Sequence, residues 1–145
     1  MEEEREDNRF VGTWRLLRWE NESAAGSISF PYGRDPRGLL HYAPDGYMFV
    51  HIMRRHRPPL SSDALLDGSV SERAAAFSGH VAYAGRWEVR GDRMIHRLEI
   101  ASVPNWSGGE QHRDFVFLDD NRLELSAPME FDGRTVLARV RWQRA

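Results

Sequence analysis

The 145-residue chain contains no cysteine and no lysine. Without cysteine there is no disulfide, no thiolate nucleophile and no Cys-based zinc or iron–sulfur site. Such a composition suits a reducing compartment. All 20 basic residues are arginine, so a Schiff-base lysine, a P-loop lysine and a pyridoxal-phosphate attachment are excluded. The formal net charge is -2, which offers no broad basic footprint for nucleic acid. No apolar run reaches membrane-spanning length. The opening Met1-Glu2-Glu3-Glu4-Arg5-Glu6-Asp7 is acidic, the reverse of a secretory signal. These features point to a cytoplasmic protein with a disordered acidic leader over residues 1–9 and a single domain over residues 10–145.

What is present reads as β-structure. Hydrophobic residues make up 41% and aromatics 11% of the chain, enough for a real core. Short apolar stretches alternate with turn residues. A first strand is expected over residues 10–20 and a short one over 28–30. Residues 38–42 and 47–53 flank Ala43-Pro44-Asp45-Gly46, a hairpin turn. Residues 81–89 and 94–100 pair across Arg90-Gly91-Asp92-Arg93. Residues 111–118 and 123–127 pair across Asp119-Asp120-Asn121, and 129–131 and 134–142 across Asp132-Gly133. Ser69 with Glu72 three residues later is a capping box, so one short helix follows and stops near Gly79. Eight to nine strands joined by tight antiparallel turns close most simply into an up-and-down barrel. The fold class is therefore all-β, with one short α-helix.

Alternation along these strands assigns faces. Trp87 falls opposite His96, and Tyr83, Val89, Met94, Leu98 and Ile100 share their side. Phe115 and Phe117 fall opposite Leu125 and Leu123, with Arg113 on the same side. Leu40 and Tyr42 are grouped with Tyr47, Phe49 and His51, although both faces of that hairpin are apolar. Val136, Ala138, Val140 and Trp142 line one side of the last strand.

On these residues the chain resembles the bacterial and fungal lipocalin-like domain family of small β-barrels. The resemblance rests on Gly12-Thr13-Trp14, on 38–48 with its Ala43-Pro44-Asp45-Gly46 turn, and on 75–77. It continues through Tyr83-Ala84-Gly85-Arg86-Trp87, His96, Pro104-Asn105-Trp106, Gln111-His112-Arg113, 123–126 and Phe131-Asp132-Gly133-Arg134. It implies a cup for a small molecule, as in carriers and in cofactor-free cyclases of natural-product pathways. It also implies that Trp14 packs at the closed end against an arginine of the last strand, Arg139 or Arg141.

Three polar residues fall on otherwise apolar inward faces: Tyr83, His96 and Arg113. A buried arginine needs a partner, either an internal carboxylate or an oxygen of a bound molecule. His96 has the chemistry of a general acid or base and Tyr83 that of a donor to a carbonyl. Tyr47, His51, Trp87, Trp106 and Phe115 complete an aromatic-rich lining. The same rings would also serve as plain core packing in a filled barrel. Asn105-Trp106-Ser107-Gly108-Gly109 has the composition of a mobile loop at the barrel mouth. The six histidines are scattered without a close ligand cluster, so no metal and no cofactor is expected.

Two functions emerge from these residues. One is binding of a small hydrophobic or aromatic molecule in the barrel. In the other, a cofactor-free cyclase or isomerase uses His96, Arg113 and Tyr83 on a polyketide-like intermediate. A solid barrel acting as a protein–protein module is the third possibility. No nucleic-acid or membrane partner is expected, and the protein is read as a monomer or homodimer.

Overall fold

The structure, a computed structural model, describes residues 8–145. The leader expected over residues 1–9 lies mostly outside the described residues. Asn8 to Phe10 are helical and lead directly into β1 (Gly12–Glu22). The strands that follow are β2 (Ile28–Ser29), β3 (Arg37–Tyr42), β4 (Tyr47–Met53), β5 (His80–Arg90), β6 (Arg93–Ala101), β7 (Glu110–Asp119), β8 (Arg122–Phe131) and β9 (Arg134–Arg144). One helix, α1 (Val70–Ser78), separates β4 from β5, and a single 3-10 turn (Pro104–Trp106) separates β6 from β7.

Every pairing is antiparallel, and β9 pairs back onto β1, so eight strands close into a barrel. The extra strand, β2, hangs on the far end of β1. Closure leaves no open edge among the eight. The 123–127 and 129–131 segments are one continuous strand, β8, running through an exposed Pro128. The Asp132-Gly133 turn has positive φ at both residues (53° and 76°), the geometry that two-residue hairpins require. The helix starts at Ser69, whose side chain caps the backbone N–H of Glu72 in a reciprocal capping box, and it ends at Gly79.

Two departures from simple alternation reshape the barrel wall. In the first hairpin, Ala43 N–H donates to Tyr47 C=O at 2.9 Å, leaving a loop of Pro44, Asp45 and Gly46. Tyr42 therefore pairs with Met48, not with Tyr47. A one-residue shift turns every β4 side chain to the opposite face. Met48 and Val50 point into the core, while Phe49 and His51 lie exposed outside and Tyr47 shares their face.

The second departure is a bulge between Ala84 and Gly85, where β6 skips from Leu98 to Ile100. Leu98 remains buried, but Ile100 turns outward and is 67% exposed, against the expectation that it faces inward. Gly85 sits so close to the Arg97 carbonyl that an added Cβ would lie 1.8 Å from its oxygen. The bulge thus requires glycine there.

The closed end is sealed by aromatic rings. Phe10, fully buried, meets Phe117 at 4.8 Å, Phe115 at 5.0 Å, Tyr42 at 5.9 Å and Trp87 at 6.1 Å between ring centroids. Trp14 donates its Nε1–H to the Phe10 carbonyl at 2.8 Å. The arginine over Trp14 is Arg144, 4.3 Å from the ring centroid, and not Arg139 or Arg141. Arg144 also donates to the carbonyls of Val11 (2.9 Å) and Arg9 (2.7 Å). Side chains at 139 and 141 point to the outer surface, where Arg139 meets Glu22 at 2.8 Å and Arg141 meets Glu124 at 2.9 Å. Residue 144 shares the inward parity of 140 and 142 and lies opposite Trp14 across the β1–β9 ladder.

Trp14→Ala is expected to cost about 3–5 kcal/mol in urea unfolding. Arg144→Ala should cost about 2 kcal/mol through the lost carbonyl bonds and the cation–π contact. Gly85→Ala should cost about 3 kcal/mol or more.

Candidate ligand-binding site

Above the aromatic seal the barrel is hollow. A cavity of about 80 Å³ is walled by apolar side chains, among them Leu40, Val50, Ile52, Leu125, Met129 and Val140. It leads to a wider solvent-open mouth of about 600 Å³ bounded by Tyr32, Phe77, Val103, Pro128 and Phe131. Trp19, Val81, Trp106, Met129 and Arg113 line both spaces and mark the junction. Strands β5, β6 and β7 place Tyr83, His96 and Arg113 on this wall.

His96 is 2% exposed. Its Nε2 is 2.7 Å from the Tyr42 hydroxyl and its Nδ1 is 2.7 Å from the Tyr83 hydroxyl. Burial, aided by the positive charge of Arg113, lowers its pKa from 6.5 to about 3. The imidazole is therefore neutral at physiological pH. Burial also raises the hydroxyl pKa of both tyrosines, that of Tyr42 far above its ordinary value, although the charge of Arg113 opposes this. The trio is a chain of neutral hydrogen-bonding groups.

Arg113 is held by its neighbours in sequence. It donates to the Gln111 Oε1 at 3.0 Å and to the His112 carbonyl at 2.9 Å. Among the described residues no carboxylate lies within 4 Å of it; the ion pairs of this region belong to Arg93 and Arg97. Two of its five N–H groups are thus engaged by neutral acceptors, and the charge is not neutralised by the protein.

The other expected lining residues divide three ways. Trp106 stands at the junction, 6.5 Å from Tyr83 between centroids. Its loop is tied to β6, with Gly108 N–H donating to Leu98 C=O at 2.8 Å and Leu98 N–H to Gly109 C=O at 2.9 Å. Trp87 and Phe115 face inward but belong to the seal: Phe10 covers them, and neither lines the cavity. Tyr47 and His51 are not in the cup. The three-residue loop sends them outside, where Tyr47 accepts a bond from Arg86 at 2.8 Å and His51 stacks on His80, with ring nitrogens 3.0 Å apart.

Several cavity residues have no obvious signal in simple alternation. Trp19 enters because β1 bulges between Leu16 and Arg18, which switches the inward parity from even to odd numbers. Met129 enters because β8 continues through Pro128. Alternation does place Trp142 on the cavity face, and Tyr42, outside the cavity, faces the core beside it; the role of the Tyr42 hydroxyl depends on its contact with His96. No group of three or more His, Asp or Glu able to hold a metal ion occurs among the described residues. Nor is any helix there long and apolar enough to cross a membrane.

The model of the lipocalin-like domain matches residues 11–145. The 4'-hydroxy-3'-methoxypropiophenone carrier protein of Aspergillus oryzae is 31% identical over 107 residues, covering 67% of this chain and 96% of that protein. Among solved structures, a redesigned β-barrel aligns with a TM-score of 0.48 and 12% identity, covering 96% of this chain and 94% of the other. A de novo fluorescence-activating β-barrel aligns with a TM-score of 0.44 and 14% identity, covering 96% of each.

The buried neutral histidine has a measurable consequence. Folded His96 stays uncharged down to about pH 3, whereas the unfolded chain takes up that proton near pH 6.5. Acid therefore favours unfolding, and stability should fall by roughly 1.4 kcal/mol for each pH unit below 6.5. His80, whose pKa is lowered by partial burial and then by the charge of Arg57, adds a slope of the same sign. Urea midpoints compared between pH 7.5 and pH 5 should show the loss in wild type. Most of that slope should vanish in His96→Gln, which keeps a donor and an acceptor but cannot charge.

Proposed function

The chain belongs to the lipocalin-like domain family, and from that premise we propose that it binds a small aromatic molecule in the upper half of its barrel. The observation that carries this reading is Arg113: a guanidinium at the junction of cavity and mouth with no carboxylate partner among the described residues. Arg113 is part-buried at the edge of the open mouth, where water screens its charge, and only two of its N–H groups are bonded to protein among the described residues. An oxygen of a bound molecule would satisfy others, and the surrounding indoles offer flat apolar faces to a ring. The name of the Aspergillus relative, a carrier of an aryl ketone, is consistent with such a ligand. A cysteine-free chain also suits the cytoplasm, where we place this activity.

The alternative, a cofactor-free cyclase or isomerase, would use the same groups to stabilise charge on oxygen. His96 argues for the carrier. Both its nitrogens are engaged by tyrosines, and its basicity is strongly suppressed, which makes it a poor proton acceptor.

The test is titration with 4'-hydroxy-3'-methoxypropiophenone, followed by tryptophan fluorescence and by mass analysis of the recovered compound. Saturable quenching with unchanged compound supports the carrier; conversion supports the enzyme. Arg113→Ala should weaken binding about tenfold or more while changing stability by less than about 1 kcal/mol. If Arg113→Ala instead unfolds the protein and leaves the affinity of the folded fraction unchanged, Arg113 is a structural residue.

A further inference from the structure

The polar side chains lining the cavity are Trp19, Tyr83, His96, Trp106, Arg113 and Trp142. None is a carboxylate, a side-chain amide, a serine or a threonine. Arginine and indole nitrogens only donate. Trp142 is 2% exposed, and its Nε1 has no partner among the described residues. Both nitrogens of His96 are already engaged. The Trp19 N–H is already bonded to the Asn21 Oδ1 at 3.0 Å, so the wall offers the donors of the other indoles and of Arg113, and the direction of the Tyr83 proton decides whether it joins them.

Neutral imidazole has one N–H and one lone pair. Tyr42 is fully buried, and its hydroxyl has His96 as its one hydrogen-bond partner among the described residues. If Nε2 carried the ring proton, the Tyr42 hydroxyl would accept it and its own proton would be buried without an acceptor, at the cost of an unmade bond. If Nδ1 carries the proton, Tyr42 donates to Nε2, Nδ1–H donates to the Tyr83 oxygen, and the Tyr83 proton is left over. Tyr83 lines the cavity and Tyr42 does not.

The geometry points to a one-way hydrogen-bond chain, Tyr42 to His96 to Tyr83, that holds His96 as the Nδ1–H tautomer and makes Tyr83 a donor into a donor-only cavity. This deepens the binding reading proposed above and rests on it for the ligand: the site takes an aromatic molecule bearing an oxygen acceptor, of which an aryl carbonyl is the simplest form. Tyr42 acts as a positioning residue that never touches the ligand.

Two measurements test this on the full chain. Long-range proton–nitrogen NMR of the ¹⁵N-labelled protein at pH 7, with His96 assigned through His96→Gln, reads the tautomer directly. Nδ1–H is expected in wild type, with that preference weakened in Tyr42→Phe, where no hydroxyl remains to donate to Nε2 and Tyr83 can bond Nδ1 in either direction. Nε2–H in wild type overturns the proposed direction.

The second measurement compares acetophenone with α-methylstyrene, in which a CH2 group replaces the carbonyl oxygen, so the planar shape is kept and the acceptor is lost. Wild type should prefer acetophenone by about three- to tenfold. Tyr83→Phe should abolish that preference, and Tyr42→Phe should reduce it although Tyr42 lies outside the cavity. Equal binding of the two probes overturns the acceptor assignment while leaving an aromatic-binding cup in place. If neither binds, both the cup and the acceptor assignment fail, and the tautomer signal still decides the direction of the hydrogen-bond chain. A purely structural Tyr42 would leave the tautomer and the probe preference unchanged.

Discussion

Phe10 enters the barrel from a helical turn just ahead of β1, and the rings of Tyr42, Trp87, Phe115 and Phe117 converge on it. Its backbone carbonyl receives the Trp14 indole, and Arg144 pins the same stretch of chain through the carbonyls of Arg9 and Val11. This plug decides how the interior is divided. Below it the aromatic side chains pack as an ordinary core. Above it the wall residues have no opposing layer, and space remains. Tyr42 belongs to both halves: its ring packs against Phe10 and its hydroxyl reaches up to His96. The polar chain of the upper half thus has its fixed end in the seal.

Part of this barrel is legible in the sequence and part is not. Trp87 opposite His96, and Phe115 and Phe117 opposite Leu125 and Leu123, follow from period-two alternation anchored at tight turns. The capping box at Ser69 and the Asp132-Gly133 turn follow from local backbone chemistry. What escaped is irregular. Ala43 and Tyr47 close the first loop one residue tighter than the Ala43-Pro44-Asp45-Gly46 pattern suggests, and that step removes Tyr47 and His51 from the interior. Bulges after Leu16 and Ala84 bring Trp19 in and turn Ile100 out. Bulges depend on which strand lies alongside, and that is a tertiary fact.

The same limit applies to the candidate site. Tyr83, His96 and Arg113 could be grouped because each is a polar residue on an apolar face. Their relations could not be read in one dimension. The engagement of His96 by two tyrosines and the lack of a carboxylate beside Arg113 depend on contacts across β3, β5, β6 and β7. Trp87 and Phe115 illustrate the converse. They face inward as expected, but whether an inward ring packs in a core or lines a cavity depends on whether something sits on top of it, and here Phe10 does.

The last strand carries a consequence for how the molecule comes into being. β9 is paired with β1 on one side and β8 on the other, and its Arg144 bonds to a carbonyl 133 residues earlier in the chain. A ribosome makes β9 after all eight other strands, so neither the ring nor its seal can be completed while earlier segments emerge. The nascent chain must hold β1 unpaired on one side throughout, with the long loop-closure cost of this topology left to the final step. A ligand that needs the finished cup cannot assist any earlier stage, and the exposed flank of β1 is the surface that a chaperone would have most reason to cover.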